Sequence, residues 1–337
     1  MPFKRPKLSE KTQRFSNLTL KLPTFLRVQK ALSRLHKYAG VQPRILLITS
    51  PSHCGKTTAL KHYMNTVNES ASEENNHEFT YAPIIYVQAF GKSGLNGLLV
   101  SILKELGVRN AKETNRASDL LSSVVEKLKA YKIDIVIIDE VQHIVPVSGQ
   151  TKTQGIADVI KTITNETNTC VALSGLPDAK KILRPSAEEY RKQNNYQHVD
   201  DSQQMQLTNR ALKSVHLKPF FYDIDPDSDW MNIVIGYEKV LQSLEVPLID
   251  FEKQDLPLRL WLATGGIIGR LKYLFQEAIE EFESGDHNRS KLDLKILAEA
   301  YEITAEYTEV DDTPDFNPFT ATDKQLALQL SIAQYGE

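Results

Sequence analysis

The 337-residue sequence predicts an α/β fold, a five-stranded parallel sheet covered by helices and followed by a small C-terminal all-helical lid. Three observations predict it. Short apolar runs alternate with helical periodicity from residue 44 to residue 220. Two of those runs, Arg44 to Thr49 and Lys132 to Asp139, are apolar almost throughout instead of alternating with polar residues, which is how strands buried on both faces read. From Asp227 onward the periodicity is helical, with no strong strand signal.

Each element follows in order. Residues 1–22 carry Lys4, Arg5, Lys7, Lys11, Arg14 and Lys21 against the single acid Glu10, and are expected to form a flexible basic arm. A helix over 24–38 comes next, capped by Thr24 and stopped by Gly40. Strands are expected at 44–49, 84–88, 134–139, 169–174 and 215–220, with helices at 56–67, 95–106, 117–130 and 154–166 between them. The polar stretches 68–78 and 188–204 read as surface loops. A boundary is expected at 221–226, so that 23–222 form the α/β domain and 223–310 the lid, built from helices 228–245, 256–264, 267–283 and 292–309. Residues 311–337 hold Asn317-Pro318-Phe319 and an amphipathic stretch 324–333, and are expected to be a partner-binding tail.

Composition narrows the classes. A net charge of -3 argues against a generally basic nucleic-acid coat protein while leaving room for a local basic surface. The two cysteines, Cys54 and Cys170, are too far apart in sequence to suggest metal spacing or a disulfide framework, which fits a reducing compartment. With no apolar run long enough to span a bilayer and no secretory signal, a cytoplasmic location without membrane contact is expected.

The chemistry concentrates where the first strand breaks into Ser50-Pro51-Ser52-His53-Cys54-Gly55-Lys56-Thr57-Thr58. A small-residue loop ending Gly-Lys-Thr at a helix start reads as a phosphate-binding loop, in which backbone N–H groups surround a polyphosphate, Lys56 neutralises charge and the Thr57 hydroxyl ligates magnesium. Ser50 departs from the motif G-x-x-x-x-G-K-[ST], and its Cβ would be strained if the backbone there took positive φ. The run ending Asp139-Glu140 supplies the expected context of two carboxylates at the end of a buried strand. Asp139 would hold magnesium through water or hold Thr57; Glu140 would orient and polarise the water that attacks the γ-phosphate. ATP and Mg2+ are therefore the expected ligands.

An α/β nucleotide domain followed by a helical lid, with its carboxylates some 80 residues after the loop, resembles the AAA+ ATPases. The resemblance implies that Ser174, ending the strand Thr169 to Ser174, is a sensor of the γ-phosphate. It implies that Arg210 is an arginine finger reaching a neighbour's nucleotide, and that Arg270, after Gly265-Gly266 and Gly269, is a second sensor. A permanently charged planar guanidinium suits charge spread over phosphoryl oxygens. Asp139-Glu140-Val141-Gln142-His143, Leu173 to Pro177, Asn209-Arg210 and the segment 265–278 more narrowly resemble the TnsC/TniB transposition regulators, over residues 24–310. That family implies a self-associating ring or helical oligomer on duplex DNA that joins a target selector, including a CRISPR effector through an adaptor, to transposase subunits. Lys92, Lys112, Thr114 and Arg116 lie in two basic loops that would track a DNA backbone without reading sequence. A replication loader or remodeller, and a nucleotide-binding scaffold with little turnover, are the competing readings.

Overall fold

The computed structural model describes residues 7–74, 82–89, 94–144, 150–183, 209–250, 254–284, 290–305 and 316–335. Contacts divide the chain into one unit of residues 24–218 and a second of residues 1–23 together with 219–337.

The first unit is an α/β sandwich. Helix α2 (Pro23–His36) buries Phe25, Val28, Leu32 and Leu35, a spacing of three and four that makes one apolar stripe. The strands are β1 (Ile45–Thr49), β2 (Ile84–Gln88), β3 (Ile135–Asp139), β4 (Cys170–Gly175) and β5 (Val215–His216). They pair in parallel in the order β2-β3-β4-β1-β5. Central β1, β3 and β4 are buried at every position, whereas β2 at an edge exposes Gln88. Helices α3 (Lys56–Glu74), α4 (Gly94–Glu105), α5 (Ala117–Ala130) and α6 (Gln150–Glu166) make the crossovers. Leu98, Ile102, Val124 and Ile160 close over Val136, Ile138 and Val171 in one core.

Two expectations change here. Helix α3 continues to Glu74 through residues read as the start of a loop, and Asn68 shows why. Its side chain accepts from Ile84 N (3.1 Å) and donates to Ile84 O (2.9 Å), pinning the polar helix end to the start of β2. Strand β5 covers only Val215–His216, and Pro219, which lacks the N–H a ladder needs, ends its continuation. The polar segment 188–204 lies outside the described residues.

The second unit is helical: α1 (Glu10–Asn17), α7 (Asp229–Ser243), α8 (Leu256–Thr264), α9 (Ile268–Ser284), α10 (Leu294–Ala305) and α11 (Asp323–Tyr335). Trp230, Phe275 and Leu297 lie in its core, with the Trp230 indole N–H donating to Pro257 O (2.9 Å). Among the described residues no helix is long and apolar enough to cross a membrane.

Both ends of this unit correct the sequence reading. Residues 10–17 are a helix, not a free arm: Phe15 is 1% exposed, and the Glu280 carboxylate accepts from Ser9 N (3.0 Å) and the Thr12 hydroxyl (2.7 Å). Lys272 Nζ donates to Ser16 O (2.7 Å) at the same place. The turn at Asn317-Pro318-Phe319 is likewise not presented as a free docking peptide, since Asn317 and Phe319 are buried. The buried Arg259 guanidinium donates to Pro318 O (2.6 Å) and Ala321 O (3.0 Å). Asn317 donates to Glu302 (2.6 Å) and Leu326 packs on Leu258, so the turn and α11 belong to the helical unit.

Candidate nucleotide site

The carboxyl ends of β1, β3 and β4 gather the site. Strand β1 delivers the chain into the loop 50–55, and α3 begins at Lys56, so the unpaired N–H groups of its first turn border the loop. Ser50 N donates to Gly175 O (3.2 Å), tying the loop to β4. Positive φ in the loop falls on His53 (62°) and Gly55 (83°), so Ser50 is unstrained. A Cβ built on Gly55 meets nothing within 4 Å, which leaves open space beside the helix start. Pro51 is half-buried, Ser52, His53 and Thr58 are exposed, and Cys54 is buried.

Lys56 is 5% exposed and turned into the loop. Its Nζ donates to Ser50 Oγ (2.8 Å), Ser50 O (3.1 Å) and Pro51 O (3.1 Å). Burial pulls its pKa below the ordinary lysine value, against the opposing influence of Glu140, Cys54 and Asp139.

Asp139 is fully buried and accepts three hydrogen bonds. Oδ2 takes the Thr57 hydroxyl (2.6 Å) and the Tyr86 hydroxyl (2.8 Å), and Oδ1 takes Glu140 N (2.9 Å). Of the two roles open to Asp139 in sequence, the structure displays the one that holds Thr57. Tyr86 was not legible as a site residue. It enters because β2 pairs with β3, and burial followed by the Asp139 charge drives its pKa well above the usual phenol range, keeping it a donor.

Glu140 adopts a left-handed backbone (φ 57°) that breaks β3 and redirects the chain into a short 3-10 turn, Val141–His143. Gln142 in that turn donates from Nε2 to Glu140 Oε2 and accepts at Oε1 from Leu176 N (3.1 Å). It therefore joins the Glu140 carboxylate to the end of β4. A Cβ on Gly175 would stand 2.5 Å from Gln142 Oε1, so the strand must carry glycine there to admit this bridge. His143, half exposed, stands 3.9 Å from Glu140 Oε2. Ser174, the residue before Gly175, is fully buried, and its Oγ has no hydrogen-bond partner among the described residues.

These features fit a nucleoside triphosphate with magnesium. The open loop and helix start suit phosphate oxygens, Thr57 and Asp139 offer the oxygen ligands magnesium takes alongside phosphate and water, and the Ser174 hydroxyl awaits a partner.

The remaining predicted residues sit on other elements. Arg210 stands beside the amino end of β1, where Leu212 N donates to Ile45 O (2.8 Å). Its guanidinium donates to Asn165 and Thr164, and with Arg44, Gln42 and Asn168 it lines a cavity of about 270 Å3. Five residues of β1 at about 3.3 Å each put it about 16 Å from the phosphate loop of its own chain. Arg270 lies in the first turn of α9 in the helical unit, where its charge opposes the rise that burial and Glu302 impose on the Tyr301 pKa. Lys112, Thr114 and Arg116 are exposed in the loop before α5, which Asn96 of α4 ties down by donating to Glu113 O (2.8 Å) and Asn115 O (3.0 Å). Lys92 lies outside the described residues.

A family model described as Bacterial TniB protein matches residues 18–194, more than half of the sequence. The chain belongs to the TniB family. The matched segment carries the phosphate loop, Asp139, Glu140, Gln142 and Ser174, while Arg210 and Arg270 fall beyond it. The fold of this TniB-family chain is that of AAA+ proteins. It is similar to Cdc6p from Pyrobaculum aerophilum, with a TM-score of 0.60 at 12% identity over 88% of this chain and 72% of the other. It is similar also to the Aeropyrum pernix ORC1 protein, solved in complex with DNA (TM-score 0.59, 14% identity, 89% and 71% coverage). A third likeness is to the Aeropyrum pernix ORC2 protein in ADPNP-ADP complexes (TM-score 0.54, 18% identity, 85% and 68% coverage). No curated protein matches the sequence.

Proposed function

We propose that this TniB-family chain is an ATP-hydrolysing regulator of transposition that assembles on duplex DNA. The observation that carries the reading is the triad Thr57, Asp139 and Glu140: a loop hydroxyl bonded to a buried carboxylate, with a second carboxylate next in sequence. Lys56 and the α3 N-terminus bind phosphate charge, and Thr57 with Asp139 hold magnesium, which when bound neutralises developing phosphoryl charge. Glu140 orients the attacking water and takes up its proton, with Gln142 fixing the carboxylate against β4. Ser174 reads the terminal phosphate, and Arg270 acts as a second sensor.

Arg210, remote from its own loop, serves a neighbouring copy, so nucleotide stabilises a ring or helical oligomer and hydrolysis loosens it. Lys112, Thr114 and Arg116, together with Lys92, hold the DNA backbone, which leaves target choice to a selector protein and strand chemistry to transposase subunits. The DNA complex of the similar Aeropyrum pernix ORC1 protein supports DNA association, and the ADPNP-ADP complexes of ORC2 support nucleotide binding. The same likenesses favour the loader reading as second choice.

The test is assembly followed by electron microscopy and sedimentation with duplex DNA and ATP. Lys56→Ala is expected to lose nucleotide-dependent assembly, and Glu140→Gln to bind ATP and stay assembled without turnover. Equal assembly of wild type and Lys56→Ala, with or without ATP, would overturn the reading.

A further inference from the structure

Ser50 is the position at which this loop leaves its motif, and the backbone does not explain why, since positive φ falls on His53 and Gly55. What the serine brings is a hydroxyl, 1% exposed, at the base of the loop. A lysine ammonium has three N–H donors and no acceptor. Around Lys56 Nζ stand three acceptors within 3.1 Å: Ser50 O, Pro51 O and Ser50 Oγ. The donors are saturated by the loop itself.

The three acceptors are not equivalent. The two carbonyls belong to the backbone, which any residue at position 50 would supply and which Ser50 N anchors to Gly175 O. The hydroxyl sits on a rotatable bond. It donates its own hydrogen bond to Pro51 O (2.6 Å), which leaves its lone pairs to accept from the lysine (2.8 Å). With glycine at this position, two carbonyls would be bonded and one N–H would remain to meet a phosphate oxygen.

We infer that Ser50 sets the affinity of the site for polyphosphates, because its hydroxyl occupies the one ammonium donor that an incoming phosphate oxygen must take. The inference rests on the nucleotide-binding reading of the loop and deepens it. Binding then proceeds with rotation of the Ser50 side chain and transfer of one Lys56 hydrogen bond from hydroxyl to phosphate. The ligands affected are those whose β- or γ-phosphate reaches the lysine, nucleoside di- and triphosphates. A nucleoside monophosphate would not be affected.

Titration calorimetry with ATP, ADP and AMP, in magnesium, on wild type, Ser50→Ala, Ser50→Gly and Lys56→Ala tests this. Ser50→Ala keeps the Cβ and the backbone bonds, so it guards against a fold defect in the glycine variant. A hydrogen bond to a charged group is worth on the order of a tenfold change in affinity. Ser50→Ala and Ser50→Gly are each expected to bind ATP and ADP about tenfold more tightly than wild type, with AMP unchanged. Without nucleotide, Ser50→Ala should melt below wild type, because a buried lysine donor has lost its acceptor. Unchanged or weaker ATP binding by Ser50→Ala overturns the inference while leaving the nucleotide reading intact. No ATP binding by wild type, matching Lys56→Ala, overturns both.

Discussion

Asp139 collects a hydroxyl from α3, a phenol from β2 and a backbone N–H from its own neighbour, so its position is fixed from three directions. Removing the phenol by Tyr86→Phe leaves the shape but frees one direction. Outer-shell losses of this kind weaken metal affinity by roughly tenfold or more. The magnesium concentration for half-maximal ATP hydrolysis is expected to rise by about that factor, read from a metal titration at saturating ATP. Gln142→Ala unties Glu140 from Leu176. On the proposed role of Glu140 in positioning the attacking water, its misorientation should lower kcat roughly 10- to 100-fold with the nucleotide Kd unchanged; loss of both together would point to a folding defect instead. Lys56, Thr57, Asp139 and Glu140 were legible because each sits in a run of adjacent letters whose chemistry is local. Tyr86 and Gln142 were not, because the first needs the strand order and the second needs the left-handed turn at Glu140 that brings it to Leu176 at the end of β4. Cys170 adds a further expectation at this scale. Burial drives its pKa up to about 11 and covers the sulfur completely, so alkylation in the native protein at pH 8 should wait on local opening and run far slower than in denaturant, measured by peptide mapping.

Among the elements, α1 departs most from its sequence. Basic residues and a nearby proline suggest solvent, yet Phe15 packs near Tyr237 and Phe275, with ring centres 6.0 and 6.4 Å away. Periodicity over eight residues cannot reveal a partner 260 residues further on. Phe15→Ala is expected to destabilise the helical unit by about 3–5 kcal/mol, whereas Leu18→Ala, at an exposed position just past the helix, should change stability by less than about 0.5 kcal/mol. Urea unfolding of the two variants separates these outcomes. The turn at Asn317 follows the same logic: its polar groups meet Ala298 O, Glu302 and the buried Arg259 guanidinium, none of them sequence neighbours. By contrast, β1, β3 and β4 were legible because burial on both faces imposes an unbroken apolar run. Strand β5 was overlong in the sequence reading because aromatic residues after Pro219 keep a strand-like composition without its hydrogen bonds.

At the scale of the molecule, a net charge of -3 forces any DNA contact onto a local surface, and the loop before α5 offers exposed Lys112 and Arg116 held in place by Asn96. Each phosphate contact contributes about 0.9 to the slope of log affinity against log salt. The double variant Lys112→Ala, Arg116→Ala should therefore weaken duplex binding at low salt and shallow that slope by about 1.8, measured by fluorescence anisotropy across a salt series. An unaltered slope would remove these residues from the interface. Alternating strands and helices disclosed the sheet from sequence, but the membership of each unit was hidden, because α1 packs with helices that come more than 200 residues later in sequence.

That membership sets an order in time. Ser9 is bonded to Glu280, 271 residues later, so during synthesis α1 leaves the ribosome long before the helix that receives it. At about 5–20 residues per second the wait is on the order of 10–50 s. Residues 24–218 can complete their sheet in that interval, so α1, made before that sheet, finds its place after it.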